Sequence, residues 1–169
     1  MDLLPEIAQR VSVRDFTDEP VEKDAVERIL EAGRLAPSAK NRQAWRFIAI
    51  QDADLREKME SACFGQEYVG AAPLIITLCT TNIEYRMPNG QLSYPIDLGI
   101  AASFMSLQAV REGLGTCLIT TFDEADVKAL LSVPFSMRVV TLLLVGHPGS
   151  TPEKPSRLPL SRVVSYEHW

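Results

Sequence analysis

Histidine is scarce in this chain: His147 and His168 are the only two in 169 residues. One precedes Pro148 in a stretch of turn character and the other lies beside the C-terminus, so a histidine metal centre or a Ser-His-Asp triad has little to draw on. Cysteine is nearly as sparse. Cys63, Cys79 and Cys117 are odd in number, far apart and without a C-x-x-C pair, which points to reduced, packed thiols rather than a disulfide framework or a zinc site. Positive charge is short as well: 17 Lys and Arg against 22 Asp and Glu leave a net charge of -5. General attraction to nucleic acid or to an anionic membrane is thereby excluded, and any anion site must be local. No apolar run approaches the roughly 20 residues of a membrane-spanning helix; the longest, residues 139–146, contains a threonine. The opening Met1-Asp2-Leu3-Leu4-Pro5-Glu6 has neither the basic nor the apolar region of a secretory signal, so a soluble, cytoplasmic protein is expected. A G-x-G-x-x-G fingerprint is missing too, and Gly113-Leu114-Gly115 is only a two-glycine turn.

What is present is a composition rich enough in apolar residues to bury a core, with no repeat or low-complexity tract to divide it; residues 1–169 are expected to form one domain. Residues 3–9 suit a short helix, and residues 10–16 alternate like an extended segment. Val21, Ala25, Ile29, Leu30 and Ala32 mark an amphipathic helix over 21–35, ended by Ala36-Pro37 because the residue before a proline resists the α conformation. Strands are expected at 45–50, 73–81 and 137–145, and helices at 52–62 and, behind an Asp123 cap, up to Leu131. Over 94–112, Ile96, Ile100, Phe104, Leu107 and Val110 keep helical spacing while Gly99, Ala101, Ala102 and Ser103 leave the other faces small, which predicts a helix buried nearly all round. Either it is central to the chain's own core or a second subunit covers one face. The tail 151–169 carries Val163, Val164, Tyr166 and Trp169, more apolar bulk than a free terminus needs, and is expected to dock. The class is α/β or α+β, a sheet with helices on both faces.

Two constellations can carry chemistry. In an extended Arg10-Val11-Ser12-Val13-Arg14, alternate side chains share a face roughly 6.5–7 Å apart. Arg10, Ser12 and Arg14 can then hold a phosphate monoester, or form no more than a solvated basic face. The second, residues 36–47, is a polar loop between helix and strand that offers Ser38, Asn41 and Gln43 as hydrogen-bonding groups and Lys40, Arg42 and Arg46 as cations. Amides and hydroxyls presented together can meet the edge of a heterocycle, or be turn formers alone.

Taken in order, Arg10-x-Ser12-x-Arg14-x-Phe16, Ala36-Pro37-Ser38-Ala39-x-Asn41-x-Gln43-x-Trp45-x-Phe47, Asp97-x-Gly99-x-Ala101, and Gly146-x-Pro148 before Ser156-Arg157-x-Pro159-Leu160 resemble the nitroreductase-like family of FMN-dependent oxidoreductases across essentially the whole chain. That resemblance implies a mixed, mainly antiparallel sheet with helices on both faces, in an intertwined homodimer with two FMN sites at its interface. It assigns Arg10, Ser12 and Arg14 to the phosphate and ribityl or pyrimidine end of FMN. Pro37, Ser38, Ala39 and Asn41, with Gln43, go along the flavin, partly from the other subunit. Gln66 goes to the pyrimidine side, the backbone of Ile119, Thr120 and Thr121 to the reactive face near N5, and Arg157 to the phosphate. The activity implied is ping-pong electron transfer from NADH or NADPH through flavin to a small acceptor such as a nitroaromatic or quinone. No catalytic side chain and no metal is expected, because the flavin carries the chemistry.

Three departures from the pattern stand out: Thr120 where short members often have glycine, Ala44 in place of a frequent proline, and Val11 in place of a common basic residue. Residues 81–93 are the one candidate lid, with Tyr85 and Arg86 placed to touch substrate. Two rival readings follow. One is a specialised flavin enzyme of the same fold, a dehalogenase or a flavin-consuming enzyme. The other is a flavin-binding module without turnover.

Overall fold

The computed structural model describes residues 3–150 and 152–169; Met1 and Asp2 of the opening segment and Thr151 at the root of the tail lie outside the described residues. Helix α1 (Pro5–Gln9) leads into an extended segment and then α2 (Lys23–Arg34). The next elements are β1 (Trp45–Ile50), α3 (Ala53–Ala62), α4 (Glu67–Ala71) and β2 (Leu74–Thr80). The long α5 (Tyr94–Arg111) precedes β3 (Gly115–Ile119), α6 (Glu124–Leu131) and β4 (Arg138–Gly146).

Local chemistry accounts for most boundaries. Val21 and Val26 flank the start of α2, at Glu22, and are buried in one cluster, the arrangement of a hydrophobic staple. Asp52 caps α3 by accepting from Leu55 N, and Asp123 caps α6 by accepting from both Ala125 N and Asp126 N. Two elements were not expected from the sequence: α4, a single turn, and β3, which opens at Gly115 where a glycine turn was read.

Among the described residues the strands form one sheet in the order β1-β2-β4-β3, every neighbour antiparallel. The parallel component is a single bridge, Ser12 to Thr116, by which the segment before α2 runs beside β3; Val13 N–H donates to Thr116 O at 2.9 Å. Strand alternation divides the core in two. Leu74, Ile76 and Leu78 of β2 join Leu143 and Val145 of β4 against Ile29 of α2 and Leu98 and Met105 of α5. Ile75 and Cys79, with Leu142 and Leu144, face Met59, Val69 and Val127 of α3, α4 and α6. Helices thus cover both faces, as expected. All three cysteines are free and buried, and burial pushes the Cys63 and Cys79 thiols up to about 11.

Within the single chain, helix α5 corrects one of the two readings given for it, that of a helix central to the chain's own core. It is not buried all round: Ile96, Gly99, Ser103 and Phe104 form an exposed stripe at helical spacing, opposite the buried Leu98, Ala101, Ala102 and Met105. The tail likewise lies open, with Leu158, Leu160, Val163, Tyr166 and Trp169 all exposed; Lys154 Nζ ties its root to Ala8 O of α1 at 2.9 Å.

Candidate functional site

The segment after α1 takes the alternation that its sequence suggests. Val13 is fully buried and Val11 packs against the core, while Ser12 is half-buried, Arg14 is exposed and Arg10 is half-buried. Gly115 lets this segment approach, since a Cβ at that position would lie 2.5 Å from Val13 Cγ2. Both guanidinium groups act on one thiol of the neighbouring strand. Burial raises the Cys117 thiol, and Arg14 and then Arg10 pull it back. Arg14 also lies over the Tyr68 ring, 5.8 Å from its centroid. No described carboxylate pairs with either arginine, although most of the other ion pairs in the chain use arginine. Two arginines free of ion pairs with described residues, alternating with a hydroxyl along one extended segment of a chain of net charge -5, have the chemistry to hold a phosphate monoester.

At the far end of β3, Ile119 is buried and Thr120 and Thr121 are exposed. Gln66 braces this stretch. Its Nε2 donates to Cys63 O at 2.7 Å and to Thr121 O at 2.9 Å, and Tyr68 Oη donates to its Oε1. With both amide donors taken by backbone carbonyls, Gln66 acts by holding Thr121 in place, and Tyr68 links that brace to Arg14. The sequence singled out neither link, because Tyr68 has no motif partner.

The loop after α2 is held in a conformation that few residues adopt freely. Lys40, Asn41 and Gln43 all have φ near 50°, a left-handed geometry that costs a non-glycine residue roughly 1–2 kcal/mol. Three bonds hold it there: Gln43 N donates to Ser38 Oγ at 3.0 Å, Asn41 N to Ser38 O at 2.8 Å, and Ala39 N to Asp97 Oδ1 at 2.9 Å. Asp97 is a buried carboxylate in the first turn of α5. The sequence showed it only as part of a pattern; its partner lies 58 positions away. The exposed Pro37, Asn41 and Gln43 and the half-buried Ser38 and Ala39 therefore sit on one preorganised turn.

Thr81 N donates to Ala44 O at 2.9 Å and joins this turn to residues 81–93. There Tyr85 lies beneath Lys40 and Arg42, and Arg86 donates to Gly90 O while bridging Leu92 in a small hairpin.

Arg157 is exposed and bonds only to Pro155 O and Ser156 O next to it, among the described residues. No contact brings it to Arg10 or Arg14. Lys154 at Ala8 is the late basic residue that the structure places beside the Arg10 segment.

Known proteins match this architecture. The model of the nitroreductase family matches residues 7–69 and 61–147. An FMN reductase (NAD(P)H) of Bacillus subtilis is 27% identical, over 98% of this chain and 74% of that protein. The crystal structure of a nitroreductase family protein from Clostridium difficile 630 superposes with a TM-score of 0.88 at 32% identity and covers 100% of both chains. An NADPH:FMN oxidoreductase from Vibrio harveyi, solved in complex with NAD+, gives a TM-score of 0.87 at 26% identity, over 97% of this chain and 76% of that one. With the family's pattern running from α1 into the end of β4 on the matching fold, the chain belongs to the nitroreductase family.

Proposed function

We propose that this protein is an FMN-dependent oxidoreductase that passes electrons from NADH or NADPH to a small acceptor such as a nitroaromatic or quinone, as a homodimer with two flavin sites at its interface. The observation that carries the reading is the extended segment beside β3, where Arg10, Ser12 and Arg14 alternate with the core-facing Val11 and Val13 and neither arginine is in an ion pair with a described residue. Arg10, Ser12 and Arg14 hold the phosphate of FMN. Ser38, Asn41 and Gln43 supply donors and acceptors for a heterocycle edge from the strained turn, Pro37 and Ala39 shape that turn, and the backbone of 119–121 borders the ring. Bound flavin supplies the hydride and electron chemistry. The chain's own task is to bind, orient and keep the face open, and Thr120, exposed at the end of β3, limits what fits there.

The topology supports a two-chain site. The Arg10 segment and residues 119–121 belong to the β3 side of the sheet, whereas the 36–43 turn and Tyr85 lie beside β1 and β2. Strands are about 4.8 Å apart, so three spacings separate the outer strands by roughly 14 Å. A second copy brings the missing half to each, and the exposed α5 stripe of Ile96, Gly99, Ser103 and Phe104 is the surface on which two copies meet. The apolar tail then crosses to the partner. Residues 1–169 act as one domain, and Arg157 reaches a phosphate only with the tail so placed. The reading sets the enzyme in the cytoplasm, in keeping with its three unpaired thiols; among the described residues no helix is long and apolar enough to cross a membrane.

FMN-supplemented protein, passed through gel filtration and examined anaerobically, is expected to keep a visible flavin band that bleaches on addition of NADH or NADPH. It should recover with a quinone. No retained flavin would sink the reading. The chain shortened after Ser161 is expected to elute as a monomer at micromolar concentration. If it remains dimeric with full flavin, tail exchange is wrong.

A further inference from the structure

Lys40 and Arg42 converge on a single aromatic ring. Lys40 Nζ lies 5.5 Å and Arg42 Cζ 4.0 Å from the centroid of Tyr85. Two cations gathered at one ring, with no described counter-charge paired to either, repel one another. The ring's quadrupole offsets part of that repulsion, and no described carboxylate forms an ion pair with either; Glu84, next to Tyr85, is exposed and pairs with neither. Nor are the cations there by default. Lys40 sits in the left-handed region, where a flexible turn would carry glycine, and the bonds from Ala39 to Asp97 and from Gln43 to Ser38 hold its backbone so. Tyr85 is fixed in turn, its N–H donating to Asn82 Oδ1 at 3.2 Å and its carbonyl accepting from Ser93 N. A chain with an acidic balance has thus concentrated uncompensated positive charge at the junction of two rigid loops.

We propose that Lys40 and Arg42, stacked on Tyr85, form an anion clamp at the rim of the flavin site that selects substrates bearing a phosphate monoester. The clamp rests on the flavin reading above, and is separate from the Arg10, Ser12 and Arg14 site that holds the resident cofactor. A dianionic phosphate is the ligand that best relieves two neighbouring cations, and arginine's planar fork meets it with two donors. Two substrates of this enzyme class present that group: NADPH, whose 2′-phosphate NADH lacks, and free FMN as acceptor, whose phosphate riboflavin lacks.

Flavin-loaded wild type and a Lys40→Gln, Arg42→Gln double variant test this through two ratios of kcat/KM. One is NADPH over NADH with menadione as acceptor; the other is free FMN over riboflavin with NADH as donor. At least one ratio is expected to exceed unity in the wild type and to fall about tenfold in the variant. It should also fall in the wild type as salt rises from about 0.01 M to 0.15 M. The charge-keeping Lys40→Arg, Arg42→Lys variant should restore it. A change in the first ratio identifies the donor as the ligand, and a change in the second identifies the acceptor. A wild type that favours neither phosphorylated substrate, or a double variant with both ratios at wild-type values, overturns the clamp while the flavin band stands. Loss of that band in the wild type removes the underlying reading and the clamp with it.

Discussion

Replacing Arg10 and Arg14 together with glutamine is expected to weaken FMN binding by about a hundredfold while leaving riboflavin binding nearly unaltered. A charge-assisted hydrogen bond contributes about 1.5–3 kcal/mol, so two of them correspond to a hundredfold or more. The lower end applies because Arg14 is exposed and water competes for the phosphate. The fold itself should tolerate the change. Neither arginine is in an ion pair with a described residue and the contact of Arg14 with Tyr68 is the main one lost, so the stability loss should stay within about 1 kcal/mol. Quenching of flavin fluorescence, titrated with both ligands, reads the two affinities side by side. Equal weakening for FMN and riboflavin would mean that the arginines do not hold the phosphate.

The second large effect is expected at a position that touches no ligand. Gly115→Ala places a methyl group 2.5 Å from Val13 Cγ2 and 2.8 Å from Val13 Cβ, and Val13 is itself fully buried. Such overpacking costs about 1–3 kcal/mol, or a drop in Tm of roughly 2–4 °C for each kcal/mol in a chain of this size. Because Val13 lies between Ser12 and Arg14, the displaced segment also misplaces the phosphate donors, and flavin retention should fall with stability. Val13→Ala removes both methyl groups, including the one 2.5 Å away, and leaves only the approach of Cβ at 2.8 Å. The Gly115→Ala, Val13→Ala double variant should therefore be more stable than the sum of the single losses predicts. Strict additivity in urea melts would show that the two positions do not press on each other.

Much of the fold was legible in the sequence wherever a signal is local. Strand β1 was delimited to the residue by its aromatic and β-branched run, α2 was placed to within two residues by its apolar periodicity, α3 was placed to within one, and α6 was opened by its Asp123 cap. Strand β3 was not, because five residues opened by a glycine carry no pattern of their own; it is a strand only because β4 pairs with it from Leu142 to Gly146. Helix α4 escaped for a similar reason, being one turn with Gly70 inside and no side-chain cap. The site divides in the same way. Arg10, Ser12 and Arg14 could be grouped by strand alternation alone. The roles of Asp97 and Tyr68 could not, since each is defined by a partner from another element, Ala39 for one and Arg14 for the other. The exposed stripe of α5 shows a further limit: apolar periodicity reports that a face will be covered, and is silent on which chain covers it.

Strand β3 has a hydrogen-bonded partner strand on one side only, and on its other side it is shielded by the segment that carries Arg10 and Arg14, through the Ser12 bridge and the Val13 bond to Thr116. A bare strand edge is a template for pairing with another chain. The segment proposed to hold the phosphate therefore doubles as a guard against aggregation, covering the edge of β3 at Thr116. If that segment holds the flavin phosphate as proposed, edge protection and cofactor retention depend on one short stretch of backbone.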